Sequence, residues 1–397
     1  MADRVTVIGW DGSPLSAAAR SALGAATMVA GARHHLTLPE IPRAAQQVLI
    51  GSVPLAARRI ADHRGTAVVL GDGDPGFFGI VRVLRRSEYG LEVEVVPAAS
   101  SVAQAFARAG MPWDDAKVVV AHERSLRRAV NVCRAHHKVA VLTAPGAGPA
   151  ELALLLGDVH RTFVICEFLG TEREEVSVLT SDKVADHTWR DPNVVLVVGG
   201  SGAFDATGWI AGQSADFPGA VRGWARHDEH YGEPDGLGSL ERAFVLAKLG
   251  PRTGDLVWDV GAGSGAVAVE AAGFGAAVIA VDGSALACER IEANARRHSV
   301  QVQVVHGQAP AALEDLPEPD VVRVGAGGAR VVAACASRKP ERIVTLVATR
   351  AQAQEVREAL ESAGYAVETE LLRSARLLPT GDQGVWADAF AVCGDRG

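Results

Sequence analysis

"VWDVGAGSGAVAVEAA", residues 257–272, sets Gly261, Gly263 and Gly265 between an apolar β-branched run and an alanine-rich, helix-prone one. A strand that ends in such a turn and feeds a helix is a building unit of a parallel α/β sheet, with free N–H groups at the helix start. Glycines, joined here by Ala262 and Ser264, let a ligand approach the backbone. The stretch also satisfies a dinucleotide fingerprint loosely, with Ala266 in the last position. Asp259 argues against a pyrophosphate, because a carboxylate two places before the first glycine suits a cationic amino-acid group and repels phosphate. Asp282 ends the next apolar run, "AVIAVDGS", about 20 residues on, where it is placed to accept from the ribose hydroxyls of S-adenosylmethionine or NAD alike. In "VVHGQAPAAL", residues 304–313, Gln308 and Ala309 are expected beside an adenine ring, with Gln308 bonding its edge.

Outward from this stretch the same alternation continues. "DLVWDVG", "AAVIAVDG", "VQVQVVHG", "PDVVRVG" and "ERIVTLVA" are separated by helical segments, and "AVETELL" and "VWADAFAVCG" follow without one. That predicts a mostly parallel sheet closed by a hairpin, its last strand antiparallel. Before Gly199, the runs "VTVIG", "TAVVL", "LEVEVVP", "AKVVVAH", "KVAVLT", "RTFVICE" and "NVVLVVGG" alternate with Ala/Arg-rich helical stretches and predict another largely parallel sheet. Residues 199–224, rich in Gly, Ala and Ser, read as a joint. The expected organisation is one domain at 1–200, a linker at 201–227 and a second domain at 228–397.

Composition bounds the chemistry. A chain of 397 residues exceeds one hydrophobic core, and its 48% hydrophobic, 5% aromatic content suits doubly wound α/β layers. A net charge of −8 disfavours a nucleic-acid backbone as partner and leaves a small molecule as the expectation. Cys133, Cys166, Cys288, Cys335 and Cys393 form no CxxC pair and read as buried thiols in a reducing cytoplasm, with no metal site expected. No apolar stretch approaches membrane-spanning length.

In the first half the glycines line several loops. Gly9 and Gly12 lie in "VIGWDGS"; Gly71, Asp72, Gly73, Asp74 and Phe77 lie in "GDGDPGFFG"; Ser100 and Ser101 follow the strand of "VVPAASSVAQAF". The order GDGDPGFFG, PAASS, "CEFLGTEREEV" resembles the tetrapyrrole methyltransferase family, and "VAGARHHL", residues 29–36, is similar to its variant acting on late precorrins. The second half, from "DEHYGEPDG" through "VWDVGAGSG" to "GQAPAAL" and "PDVVRVGAGG", resembles the decarboxylating partner domain. Together they resemble the precorrin-6B (precorrin-6Y) C5,15-methyltransferase (decarboxylating) family of the cobalamin pathway.

The resemblance implies an α/β fold: a two-lobed tetrapyrrole methylase domain followed by a Rossmann-like class I methyltransferase domain. It further implies S-adenosyl-L-methionine at Gly9, Gly71–Asp74, Phe77, Ser100, Ser101 and Thr143 in one half. In the other half it implies the donor at Asp259, Gly261–Gly265, Asp282, Gln308 and Ala309. The implied reaction on a tetrapyrrole is methylation at carbon 5 by the first domain, and at carbon 15 with loss of the carbon-12 acetate carboxyl by the second, in a cytoplasmic homo-oligomer. Glu229, His230 and Tyr231 are candidate proton donors by position, and a surface loop is the competing reading.

Several residues depart from the family pattern. "GLGSLERAF", residues 236–244, lacks the usual Thr-Lys pair; Gln308 replaces an Asp; Arg323 stands at an apolar strand position; "VTLVATR", residues 344–350, replaces a "VAN"-like ending. Two alternatives stay open on these grounds: another porphyrinoid substrate, or a donor-binding scaffold with an impaired second domain. Arg124, Arg127, Arg128 and Arg134 occupy helical spacings that would meet substrate carboxylates or, as the plainer expectation, water. His34 and His35 are a further pair for such carboxylates, with one of them packed.

Overall fold

The computed structural model describes residues 4–199, 211–212, 223–232, 237–377 and 383–397. Most of the 201–227 linker therefore lies outside the described residues, as do 233–236. Three sheets organise the chain. The first contains β1 (Arg4–Trp10), β2 (Met28–Gly31), β3 (Gln46–Leu49), β4 (Ala67–Asp72) and β5 (Glu92–Val96), in the order β3-β2-β4-β1-β5, all parallel. β1 and β4 are central and apolar along their length because helices cover both faces, so Val5, Val7 and Ile8 pack against Val68, Val69 and Leu70 with almost no exposure.

The second sheet corrects the expectation of a single parallel one. It holds β6 (Lys117–Val120), β7 (Lys138–Leu142), β8 (Thr162–Glu167), β9 (Glu175–Thr180) and β10 (Asn193–Val198), in the order β6-β7-β10-β8-β9. Only β6 and β7 run parallel; β10 is antiparallel to β7 and β8, and β9 to β8. β9 follows β8 through a short loop rather than a helix, which permits the antiparallel pairing. The helix Ser101–Ala109 ties the sheets into two lobes, burying Val102, Ala105 and Phe106 against Ala140, Val164, Cys166 and Leu196.

The third sheet contains β11 (Leu256–Val260), β12 (Ala277–Asp282), β13 (Gln303–His306), β14 (Val321–Val324), β15 (Arg342–Val347), β16 (Ala366–Leu377) and β17 (Gln383–Asp395). Their order is β13-β12-β11-β14-β15-β17-β16, with β17 antiparallel to both neighbours, as the helix-free end of the sequence predicts. All five cysteines are buried and unpaired. Among the described residues no helix is long and apolar enough to cross a membrane.

The helix Leu126–Ala135 joins the lobes to the third sheet. Arg127 donates to Asp320 Oδ1 at 2.7 Å, and buried Asn131 donates to the Gly254 carbonyl at 2.9 Å. Arg134 caps the carbonyls of Leu155 and Leu156. The arginine-rich face is therefore divided: Arg127 and Asn131 bind the other half and Arg134 closes a neighbouring helix, while Arg124 and Arg128 are exposed to water, the plainer expectation. His136, next to the turn at Gly275, is pushed down to about 4 by burial, with Lys117 and His137 adding to the effect.

Candidate functional site

Two crevices lie at strand carboxyl ends. In the first, Gly73 N–H donates to the Trp10 carbonyl at 2.7 Å, pinning the loop after β4 to the end of β1. A Cβ on Gly9 would fall 2.3 Å from the Gly73 carbonyl oxygen, so the close approach of these strand ends requires a glycine there. Gly73 itself sits at φ +60°, with Ser101 N only 2.8 Å from where its Cβ would be. Ser100 caps the following helix by accepting from Ala103 N–H, and Asp74 accepts from Gly76 N–H. The predicted residues Gly9, Gly71–Asp74, Phe77, Ser100 and Ser101 thus belong to adjoining loops, and the half-exposed Phe77 and Phe78 rings meet edge to face. Thr143 ends β7 in the other lobe, where its hydroxyl lies 2.7 Å from both oxygens of Asn193.

The lobes meet backbone to backbone. A Cβ on Gly12 would lie 1.9 Å from the Gly170 oxygen, and one on Gly170 would lie 1.8 Å from the Asp11 oxygen. Gly170 N–H donates to Glu174 Oε2, which also pairs with Arg108, so the loop after β8 is held from the helix Ser101–Ala109.

Asp72 shows what spacing alone does not. β2 and β4 are register partners through Ala30 and Val69, so their following loops are neighbours and His34, His35 and Asp72 converge, their ligand-type atoms within 4.8 Å of one another. Asp72 Oδ1 accepts from both imidazoles; burial works to raise this carboxyl, but the two hydrogen bonds and their charge hold it well below the usual range.

The second crevice is the strand–turn–helix of residues 257–272. Gly261, Gly263 and Gly265 all adopt positive φ, and a Cβ at Gly265 would strike Ile291 at 2.8 Å. Asp282 braces the turn, accepting from Gly263 N–H at 3.0 Å and from Ser284 N–H at 2.9 Å. A cavity of about 200 Å³ opens there, lined in part by Gly261, Asp282, Ser284, Gln308, Ala309 and Ala326. Asp259 lies below it, completely buried, with its Oδ1 2.8 Å from Arg323 Nη1, which also donates to the Gly261 carbonyl at 3.0 Å. Asp259 and Arg323 are direct partners on β11 and β14, so their side chains share one face. One guanidinium nitrogen thus bridges the Asp259 carboxylate and the Gly261 carbonyl.

Of the candidate proton donors, Tyr231 is buried and donates to Glu270 Oε1 at 2.8 Å, in a cluster with fully buried Arg242. Asn294 ties the Tyr231 carbonyl to that of Ser264, so this segment braces the glycine turn. Glu229 is exposed and pairs with His227, and the His230 ring faces His298.

Residues 11–185 match the family of tetrapyrrole (corrin/porphyrin) methylases, and residues 239–394 match the precorrin methyltransferase domain. A Sinorhizobium protein named precorrin-6Y C(5,15)-methyltransferase (decarboxylating) is 32% identical over 342 residues, covering 81% of this chain and 77% of the relative. A Mycobacterium tuberculosis protein of the same name is 30% identical, covering 81% of this chain and 80% of its own length. The chain belongs to the precorrin-6Y C(5,15)-methyltransferase (decarboxylating) family. A crystal structure of the C-terminal domain of the Rhodobacter capsulatus member, 28% identical, covers 43% of this chain and 97% of that domain at a TM-score of 0.39. Against the family resemblance, the sequence signals Arg323 as a departure; its pairing with Asp259 emerges only from the strand register.

Proposed function

We propose that the chain is a bifunctional S-adenosylmethionine-dependent C-methyltransferase of corrin-ring biosynthesis. It methylates precorrin-6B, or the cobalt form, at carbons 5 and 15 and removes the carbon-12 acetate carboxyl as carbon dioxide, giving precorrin-8. The supporting observation is that both halves match methylase families, in one chain and in the order of the C(5,15) relatives. A cluster of glycine-bearing strand-end loops accompanies each match.

S-adenosylmethionine supplies a methyl group already activated by its sulfonium. The chain's own task is to align donor and ring carbon and to exclude water. In the first half, Gly9 and Gly73 let the strand-end loops pack against one another, and we place the donor against those loops, with Gly9, Gly71, Asp72, Gly73, Asp74, Phe77, Ser100, Ser101 and Thr143 around it. In the second, we place the nucleoside end in the cavity lined by Gly261, Asp282, Gln308 and Ala309, beside the turn Ala262–Gly265, and the amino-acid end is opposed while Arg323 holds Asp259 and the Gly261 carbonyl. Decarboxylation leaves its electrons in the conjugated ring, so orientation suffices apart from a proton, for which exposed Glu229 and His230 are better disposed than the committed Tyr231. We place the chain in the cytoplasm as a homo-oligomer without nucleic-acid or membrane partners.

Purified full-length chain incubated with S-adenosylmethionine and precorrin-6B tests this by mass. Two added methyl groups with release of carbon dioxide is the expected result, and no mass gain would refute it. The Arg323–Asp259 pair favours a second reading, a donor-binding second half with weakened chemistry; one methyl without carbon dioxide would select it.

A further inference from the structure

The cluster of His34, His35 and Asp72 has a chemistry of its own. Asp72 Oδ1 lies 2.8 Å from His34 Nε2 and 3.0 Å from His35 Nε2. The buried His35 accepts from Ala32 N–H through Nδ1 at 3.2 Å. A ring nitrogen that accepts carries no proton, so neutral His35 keeps its proton on Nε2 and donates it to Asp72. That tautomer opposes a metal ion, which needs the Nε2 lone pair in the same place and a donating Nδ1.

His34 is different. Its Nε2 donates to the same carboxylate oxygen, its side chain is 40% exposed, and among the described residues its Nδ1 has no hydrogen-bond partner. An imidazole held by a carboxylate on one nitrogen and open on the other is a proton acceptor with its tautomer fixed. The carboxylates of the adjoining loops bond backbone: Asp11 accepts from Ser13 and Ala99 N–H, and Asp74 from Gly76 N–H. Trp10 leans on both imidazoles, with ring centroids 6.1 Å from His34 and 5.8 Å from His35, and walls the cluster on the β1 side.

We propose that His34 Nδ1 receives the proton released when the first half methylates its ring carbon, with Asp72 and His35 as positioning residues. This rests on the functional reading above. The ring's π electrons form the new carbon–carbon bond as the methyl–sulfur bond breaks towards sulfur. The carbon–hydrogen bond at the same carbon then breaks, its electrons restore conjugation, and the proton passes to His34.

The test uses full-length chain with S-adenosylmethionine and precorrin-6B, following each methylation by mass and carbon-13 label and the second half by carbon dioxide. His34→Ala is expected to lower kcat for the carbon-5 methyl roughly 10²- to 10³-fold with KM little changed, while carbon dioxide release persists. Added imidazole should restore at least tenfold of that loss, whereas His34→Gln, which keeps a donor to Asp72, should stay slow. A His34→Ala variant with the carbon-5 rate intact overturns the proposal, as does a stoichiometric metal ion in wild type that this variant loses. Failure of wild type at both carbons instead refutes the functional reading.

Discussion

Each half of the molecule sets a carboxylate by a glycine turn at a strand end, and each carboxylate has different nitrogen-bearing companions. Asp72, half exposed, is shared by two imidazoles; Asp259, fully buried, is paired with a guanidinium that never loses its charge near neutral pH. The first arrangement can move a proton. The second holds a buried ion pair beneath the glycine turn. Similar strand–turn sequences thus carry differently partnered carboxylates, and the difference lies in residues outside the glycine motif.

The sharpest way to break this contrast is to remove the buried partner. Asp259→Ala strands Arg323 in the sheet and should cost about 3–5 kcal/mol, seen in urea unfolding of the full chain as early loss of one transition. An unchanged midpoint would mean the pair is not the buried clamp it is drawn as. At the seam between the halves His136 gives a pH dependence above pH 4, and His298, also pushed down by burial, adds to it in the same direction. His136, at about 4 when folded against about 6.5 unfolded, takes up its proton more readily in the unfolded chain. Its stabilisation is therefore present above pH 6.5 and is lost as pH falls towards 4, by up to about 3 kcal/mol; His136→Phe should flatten that slope in thermal melts.

Arg323→Val frees the acceptors of the second crevice, so calorimetry with S-adenosylhomocysteine should show about tenfold tighter binding at that site, near 1.4 kcal/mol. Weaker binding would instead make Arg323 a ligand-holding residue. The smallest effect on stability is expected at Asp72. Asp72→Asn, at a half-exposed position, should shift the unfolding midpoint by no more than about 1 kcal/mol, yet slow carbon-5 methylation at least tenfold.

Much of this was legible in the residues. Periodic apolar runs and the helix-free C-terminal pair predict the third sheet down to its antiparallel last strand. Alternation of runs and helices, however, carries no strand direction, so β8 and β10 read as parallel when they are not, and β9 between them is not read as a run at all. β2 (MVAG) and β3 (QQVL) each carry a single β-branched residue and do not register as runs of their own, and with β2 unseen the convergence of His34 and His35 on Asp72 is hidden. Arg323 offered a signal: an arginine in a buried strand demands a carboxylate, and Asp259 on the next strand was the nearest in motif terms. The arginines of "ERSLRRAVNVCRAHHK" offered none, because a helix face that meets another domain is as polar as one that meets water.

That seam has a consequence for how the two halves came to share a chain. Asn131 places a buried amide on Gly254, and Arg127 reaches Asp320, so recognition between the halves is written into their surfaces. Two polypeptides separated at the Gly/Ala/Ser-rich joint are therefore expected to recognise each other through these contacts, with the covalent link raising their local concentration.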